Sequence, residues 1–164
     1  MTLTLILMRH AKSSWDDPLV PDHDRVLNAR GQRSARALGD WLRANELVPD
    51  EVISSSSIRT RQTFEGLALD LRPRFTSALY HAGPAQMWTV LSEASGQRVL
   101  MLGHNPGIAE FGERIVSTPP DHERFWDYPT GATLVAEFDA QRWTDVRPHT
   151  GRVLQFITPR ELTE

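Results

Sequence analysis

Three short strand-like runs, Leu3–Met8, Glu51–Ser54 and Arg98–Gly103, alternate with longer stretches whose apolar residues recur at helical spacing. This alternation leaves few folds open. Parallel strands need crossover connections, and the crossover helices then cover both faces of the sheet. Four helical stretches fill the gaps. Ala35, Leu38, Trp41 and Leu42 share one face from about Gly31 onward. Phe64, Leu67, Ala68 and Leu71 do so after "SSSIRTRQT", and Met87, Val90, Leu91 and Ala94 after Pro84. Ile108, Phe111 and Ile115 follow "HNPG". Asn45 and Pro49 stop the first helix, the serines cap the second, and Pro84 and Pro106 suit the first positions of the others. Two later strands, Ala132–Phe138 and Arg152–Thr158, have no helix between them and are expected as an antiparallel pair at one side. The expected architecture is a three-layer α/β/α sandwich with a mainly parallel central sheet. It forms one domain over residues 1–164, because no linker, repeat or low-complexity tract interrupts the chain.

Composition narrows the function classes. No cysteine is present, which removes disulfide scaffolds, thiol nucleophiles and thiolate metal sites. The net charge of −3 speaks against general nucleic-acid binding. The first apolar run is too short for a signal peptide and has no basic region before it. Nothing approaches the roughly 18 apolar residues of a membrane span. A soluble, cytoplasmic protein without membrane or nucleic-acid partners is expected.

Open parallel sheets bind ligands outside the carboxyl ends of their strands. The first run ends at Arg9-His10, the second at a serine run followed by Arg59, and the third at Gly103-His104-Asn105-Pro106. If these strands are neighbours, two arginines, two histidines and two helix N-termini converge on one rim. Such a rim suits a doubly charged oxyanion, phosphate above all. Positive neighbours also disfavour imidazolium, which keeps a histidine there neutral and nucleophilic.

The segments "LMRHAKSSWD", "SSSIRTRQT" and "LGHNPG" resemble, in this order, the signatures of the histidine phosphatase (phosphoglycerate mutase-like) superfamily. "RHAK", "DRVLNARG" and "PTGATLV" resemble its SixA-type phosphohistidine phosphatase branch. The resemblance spans nearly the whole chain and implies roles. His10 is the expected nucleophile, Arg9 and Arg59 the phosphate-binding arginines, and His104 the second histidine on the phosphoryl group. Asn105 is expected to offer its backbone N–H. Asp16 stands where larger members carry an asparagine ligand, so it is expected as a substrate-binding residue. The resemblance implies a phosphohistidine-forming phosphatase that needs no metal or other cofactor, with a phosphorylated protein histidine as substrate. Two departures stand out. Ala11 replaces the usual glycine, and "SALYHAGPA" has Tyr80 and His81 but no carboxyl group where many members carry an acidic proton donor.

Other readings compete. Arg25 either reaches the phosphate site or, as the favoured reading, pairs with Asp22 or Asp24. The acids between Asp16 and Asp24 lack metal-ligand spacing, which weighs against a metal-dependent hydrolase. A docking module without catalysis, or a small-molecule phosphatase or phosphomutase, would use the same pocket. Lys12 reads as a rim charge. Trp41 and Trp88 read as core residues, and Trp15 and Trp126 as candidates for the pocket mouth.

Overall fold

The computed structural model describes residues 2–163. In chain order the elements are β1 (Leu3–Arg9), α1 (Ala29–Ala44), β2 (Glu51–Ser55), α2 (Ile58–Leu67) and β3 (Arg74–Thr76). Then come α3 (Pro84–Ser92), β4 (Arg98–Gly103), α4 (Gly107–Ile115), β5 (Thr133–Phe138), β6 (Arg152–Ile157) and the single turn α5 (Arg160–Thr163). The strands form one sheet in the order β3-β2-β4-β1-β5-β6. β3, β2, β4 and β1 run parallel to one another, while β5 is antiparallel to β1 and β6 to β5. The antiparallel pair therefore lies to one side, as expected.

Alternation along the strands explains the layers. Leu5 and Leu7 of β1 join one core cluster with Met87, Val90, Ile108 and Phe111 of α3 and α4. Ile6 and Met8 point the other way, to Leu38, Leu42, Phe64 and Leu67 of α1 and α2. Both parities of β1 are apolar because both faces of the sheet are covered. Trp41 and Trp88 pack against these two clusters, one on each side. No helix among the described residues is long and apolar enough to cross a membrane.

The differences from expectation are at element ends. Helix α2 stops at Leu67, where Ala68 takes a left-handed conformation (φ 55°). Ala68 and Leu71 thus lie beyond the helix, although Leu71 still packs on the same cluster. Ala94 likewise lies beyond α3. Pro106 occupies the N-cap of α4, one residue before the expected first helical position. Strand β3 spans three residues, too few to show a period, and it was not expected.

Candidate active site

The register of the sheet builds the site. Arg9 pairs with Gly103 across β1 and β4, so His10 and His104 leave adjacent strands at the same level. The His10 N–H donates to the Gly103 carbonyl at 3.2 Å. The two imidazole rings lie 5.2 Å apart, centroid to centroid. β2 flanks β4 on its other side, and its end leads through Ser57, the N-cap of α2, to Arg59 in the first turn. The three strand ends do adjoin. They enclose a pocket of about 250 Å³ whose lining includes Arg9, His10, Arg25, Arg59, His104 and Asn105. A larger apolar groove of about 480 Å³ beside Trp88 and Phe111 has no comparable set of converging polar groups.

His10 is buried, and its Nδ1 lies 2.7 Å from the carbonyl oxygen of Ala11. That oxygen can only accept, so the neutral ring carries its proton on Nδ1 and its lone pair on Nε2. Burial holds the His10 imidazolium well below its usual range. The charges of His104, Arg9 and Arg59 push the same way, against the Ala11 hydrogen bond. Positive neighbours alone were expected to do this, but burial is the larger cause. His104 is pushed down to about 3, again by burial first and then by Arg59 and His81. Its Nδ1 faces Arg59 Nη2 at 3.4 Å, and its Nε2 faces Ser55 Oγ at 2.8 Å. A guanidinium can only donate, so the free ring accepts at Nδ1 and donates from Nε2.

Asp22 organises the cations. Its carbonyl accepts from Arg59 Nη1 at 2.6 Å, and its carboxylate accepts from Arg59 Nη2 at 3.0 Å, Arg25 Nη1 at 3.1 Å and the Tyr80 hydroxyl at 2.6 Å. The Tyr80 hydrogen bond, with Arg59 and Arg25, holds this carboxyl far below the usual carboxylate range. Arg25 makes its expected ion pair with Asp22, not Asp24, and it also lines the pocket. Its guanidinium lies 3.2 Å from the centre of the Trp15 ring, which places Trp15 at the mouth. Trp126 is exposed and outside the lining.

Asp16, expected as a substrate ligand, is exposed and also outside the lining; its backbone N–H donates to Ser14 Oγ at 3.1 Å. Trp15 covers Arg25 in that stretch, and the acid that faces the site comes from Asp22 instead. Lys12 lines the rim. His81 does too, from a left-handed backbone (φ 58°) with its ring centre 4.0 Å from that of Tyr80 and tilted 42° to it. Gly107 lets α4 seat beneath that loop, since a Cβ there would meet the Ala82 carbonyl at 1.8 Å. Among the described residues no three His, Asp or Glu side chains gather as a metal-binding group.

Tyr128 lies outside every motif of the sequence. It is fully buried; its hydroxyl donates to the Leu7 carbonyl and accepts from the Leu134 N–H at 3.2 Å. Its own carbonyl accepts from Arg9 Nη1 at 3.1 Å and Asn105 Nδ2 at 3.0 Å. Three residues on, the Gly131 N–H holds the His10 carbonyl at 2.8 Å. The one available signal was position, because Tyr128 directly precedes "PTGATLV".

The sequence model of the histidine phosphatase superfamily (branch 1) matches residues 5–81. The uncharacterized Mycobacterium tuberculosis protein Rv1276c is 36% identical over 163 residues, covering 93% of this chain and all of that one. The chain belongs to the histidine phosphatase superfamily. Among solved structures, the "putative phosphohistidine phosphatase SixA" from Nakamurella multipartitia matches 97% of both chains with a TM-score of 0.86 at 27% identity. The protein histidine phosphatase SixA complexed with tungstate shares the fold, with a TM-score of 0.75 at 22% identity over 98% of this chain and all of that one. The likeness is to the SixA-type branch, and the three-layer architecture is that of the phosphoglycerate mutase-like fold. Membership implies a phosphatase, a hydrolase of phosphoryl groups.

Proposed function

We propose that this histidine phosphatase works without a metal, through a phosphohistidine on His10, and that its substrate is a phosphorylated histidine of a protein. One observation carries the reading: a buried, neutral His10 whose Nδ1 proton is fixed on the Ala11 carbonyl, so that Nε2 is the free nucleophile in a pocket rimmed by Arg9 and Arg59. Nε2 attacks phosphorus, the P–N bond to the substrate imidazole breaks, and that imidazole leaves with a proton taken up from the solvent-open mouth. Water then attacks the phosphoryl group on His10, and inorganic phosphate departs. Arg9 and Arg59 balance charge on the equatorial oxygens throughout. His104 is the further phosphoryl ligand. A dianion near Arg59 draws that guanidinium off Nδ1 and offsets the positive charge that, after burial, keeps His104 neutral. Asn105, braced by the Tyr128 and Asp127 carbonyls, completes the wall.

The substrate class follows from the leaving group. An alkoxide needs a strong proton donor in the transition state, and the groups at hand are His81, Lys12 and the Asp22 carboxyl, which the Tyr80 hydroxyl and the arginines hold ionised. An imidazole leaving group needs far less help. The expected order of kcat/KM is phosphohistidine on protein or peptide, then aryl phosphates, then alkyl phosphates such as phosphoserine far behind. The deciding experiment is trapping: incubation with a labelled phosphodonor, an alkaline quench and mapping of the label. Label on His10 with activity unchanged in EDTA supports the proposal. Absence of label, with activity lost in EDTA and restored by a divalent ion, would make it a metal hydrolase.

A further inference from the structure

A second polar cleft opens beside the active site. It measures about 200 Å³, and four cationic side chains line it: Lys12, Arg30, Arg124 and Arg160. Lys12 and Thr130 line both this cleft and the catalytic pocket, so the two openings share a wall. No acidic residue lines the cleft, although the chain as a whole carries a net charge of −3. Arg124 is held by Asp127 at 2.9 Å, outside the lining. The side chains of Lys12 and Arg30 have no hydrogen-bond or ion-pair partner among the described residues. Arg30 projects from the first turn of α1, which Gly31 lets close onto the loop after His10: a Cβ there would lie 2.0 Å from the Lys12 carbonyl. Pro129 and Pro159 form stiff walls, and the buried Ser34 adds a hydroxyl.

We propose that this cleft is an anion subsite that takes a carboxylate side chain of the phosphoprotein substrate, presented beside its phosphorylated residue. The inference rests on the phosphoprotein reading above. Guanidinium forks grip carboxylates in bidentate fashion, which favours arginines for this task. The volume falls short of the roughly 300–1,000 Å³ usual for small-molecule sites, but it admits one acidic side chain. A second phosphate on a small substrate has the same charge chemistry. The protein source is favoured because the two openings share the wall formed by Lys12 and Thr130, so that one docked surface can reach both together.

The test uses Arg30→Gln, Arg160→Gln and the double variant, all at exposed positions away from the reacting atoms. Four probes are compared: a phosphohistidine peptide flanked by Asp and Glu, its twin flanked by Asn and Gln, p-nitrophenyl phosphate, and propane-1,3-diol bisphosphate as an inhibitor. The native protein is expected to prefer the acidic peptide by about tenfold in kcat/KM, through KM, with the preference fading as salt rises. Each single variant should reduce that ratio up to about fivefold, and the double variant should bring it near one. Hydrolysis of p-nitrophenyl phosphate should stay within about twofold, which also reports correct folding. No preference in the native protein, or equal loss on both peptides, overturns the subsite. Loss of bisphosphate inhibition with peptide preference intact reassigns it to small molecules. If neither peptide is turned over, the phosphohistidine reading fails on its own. The same peptides then serve as inhibitors of p-nitrophenyl phosphate hydrolysis. Selective inhibition by the acidic peptide that the double variant loses upholds the subsite, and equal inhibition by both refutes it.

Discussion

The parallel and antiparallel parts of the sheet contribute to the pocket in different currencies. The ends of β1, β2 and β4 lead to side chains that line the pocket: Arg9, His10, Arg59 and His104. The antiparallel side supplies mostly backbone. Ala132 accepts the Arg9 N–H at 3.0 Å, Gly131 donates to the His10 carbonyl, and the Tyr128 carbonyl braces Arg9 and Asn105. Pocket-lining side chains thus come mainly from one part and their backbone anchors from the other. Damage to the first should stop the reaction, whereas damage to the second should loosen the protein before it slows the reaction.

The largest effect is expected on the parallel side. His10→Ala should cost on the order of 10⁴-fold or more in kcat yet still bind tungstate, because the arginines remain. Turnover and titration calorimetry on one preparation check this, and activity within tenfold of the native protein would remove His10 as nucleophile. Arg59→Lys keeps the charge but loses the fork that now spans two oxygens of Asp22, and kcat/KM should fall by roughly 10²-fold. On the antiparallel side, Tyr128→Phe leaves the Leu7 carbonyl without its hydroxyl donor and the Leu134 N–H without its acceptor. Chemical denaturation should show a loss of about 1–3 kcal/mol, with kcat changed less than tenfold. The reverse pattern, native stability and lost activity, would erase the distinction between the two parts.

Acid should single out the parallel side as well. Folded His104 stays neutral down to about 3, while the unfolded chain protonates this residue near 6.5. Below 6.5 the unfolded state therefore binds more protons, and stability falls as pH falls through that window. His10 is displaced in the same direction. Each contributes a slope of up to about 1.4 kcal/mol per pH unit. Denaturant midpoints measured from pH 7 to pH 4 should flatten in His104→Gln but not in Tyr128→Phe. The smallest effect belongs to Arg61→Lys. Its guanidinium lies over Phe75 and its Nε donates to the Ser56 carbonyl at 2.9 Å, away from the pocket lining. Kinetics should change less than about twofold, and a larger loss would mean that Arg61 and Arg59 had been misassigned.

What the sequence made legible follows from periodicity and local spacing. Residues 9, 10, 59 and 104 could be placed because each sits within a few positions of a strand end, and strand ends announce themselves by apolar runs. Asp22, Tyr80 and Tyr128 could not be placed in the same way. Asp22 stands among several acids of one loop, and only the fold reveals that it, and not Asp16, meets Arg59. Tyr80 meets Asp22 from far along the chain. Tyr128 acts through its carbonyl and a buried hydroxyl, groups that leave no pattern in a sequence. The three residues of β3 are recognisable only by the neighbour they pair with, β2.

The central position of β1 also dictates when catalysis can appear in the life of the chain. β1 is made first, but its two neighbours, β4 and β5, are made late. A nascent chain that has reached residue 81 already holds Arg9, His10 and Arg59 and spans the region matched by the superfamily model, yet β1 has neither of its ladders. Loop closure over such separations is slow, and an unpaired apolar strand is prone to stick to others in the meantime. The strand that leads to His10 therefore gains its two ladders only once β4 and then β5 have been made, and the pocket wall that ends at Thr130 closes no earlier.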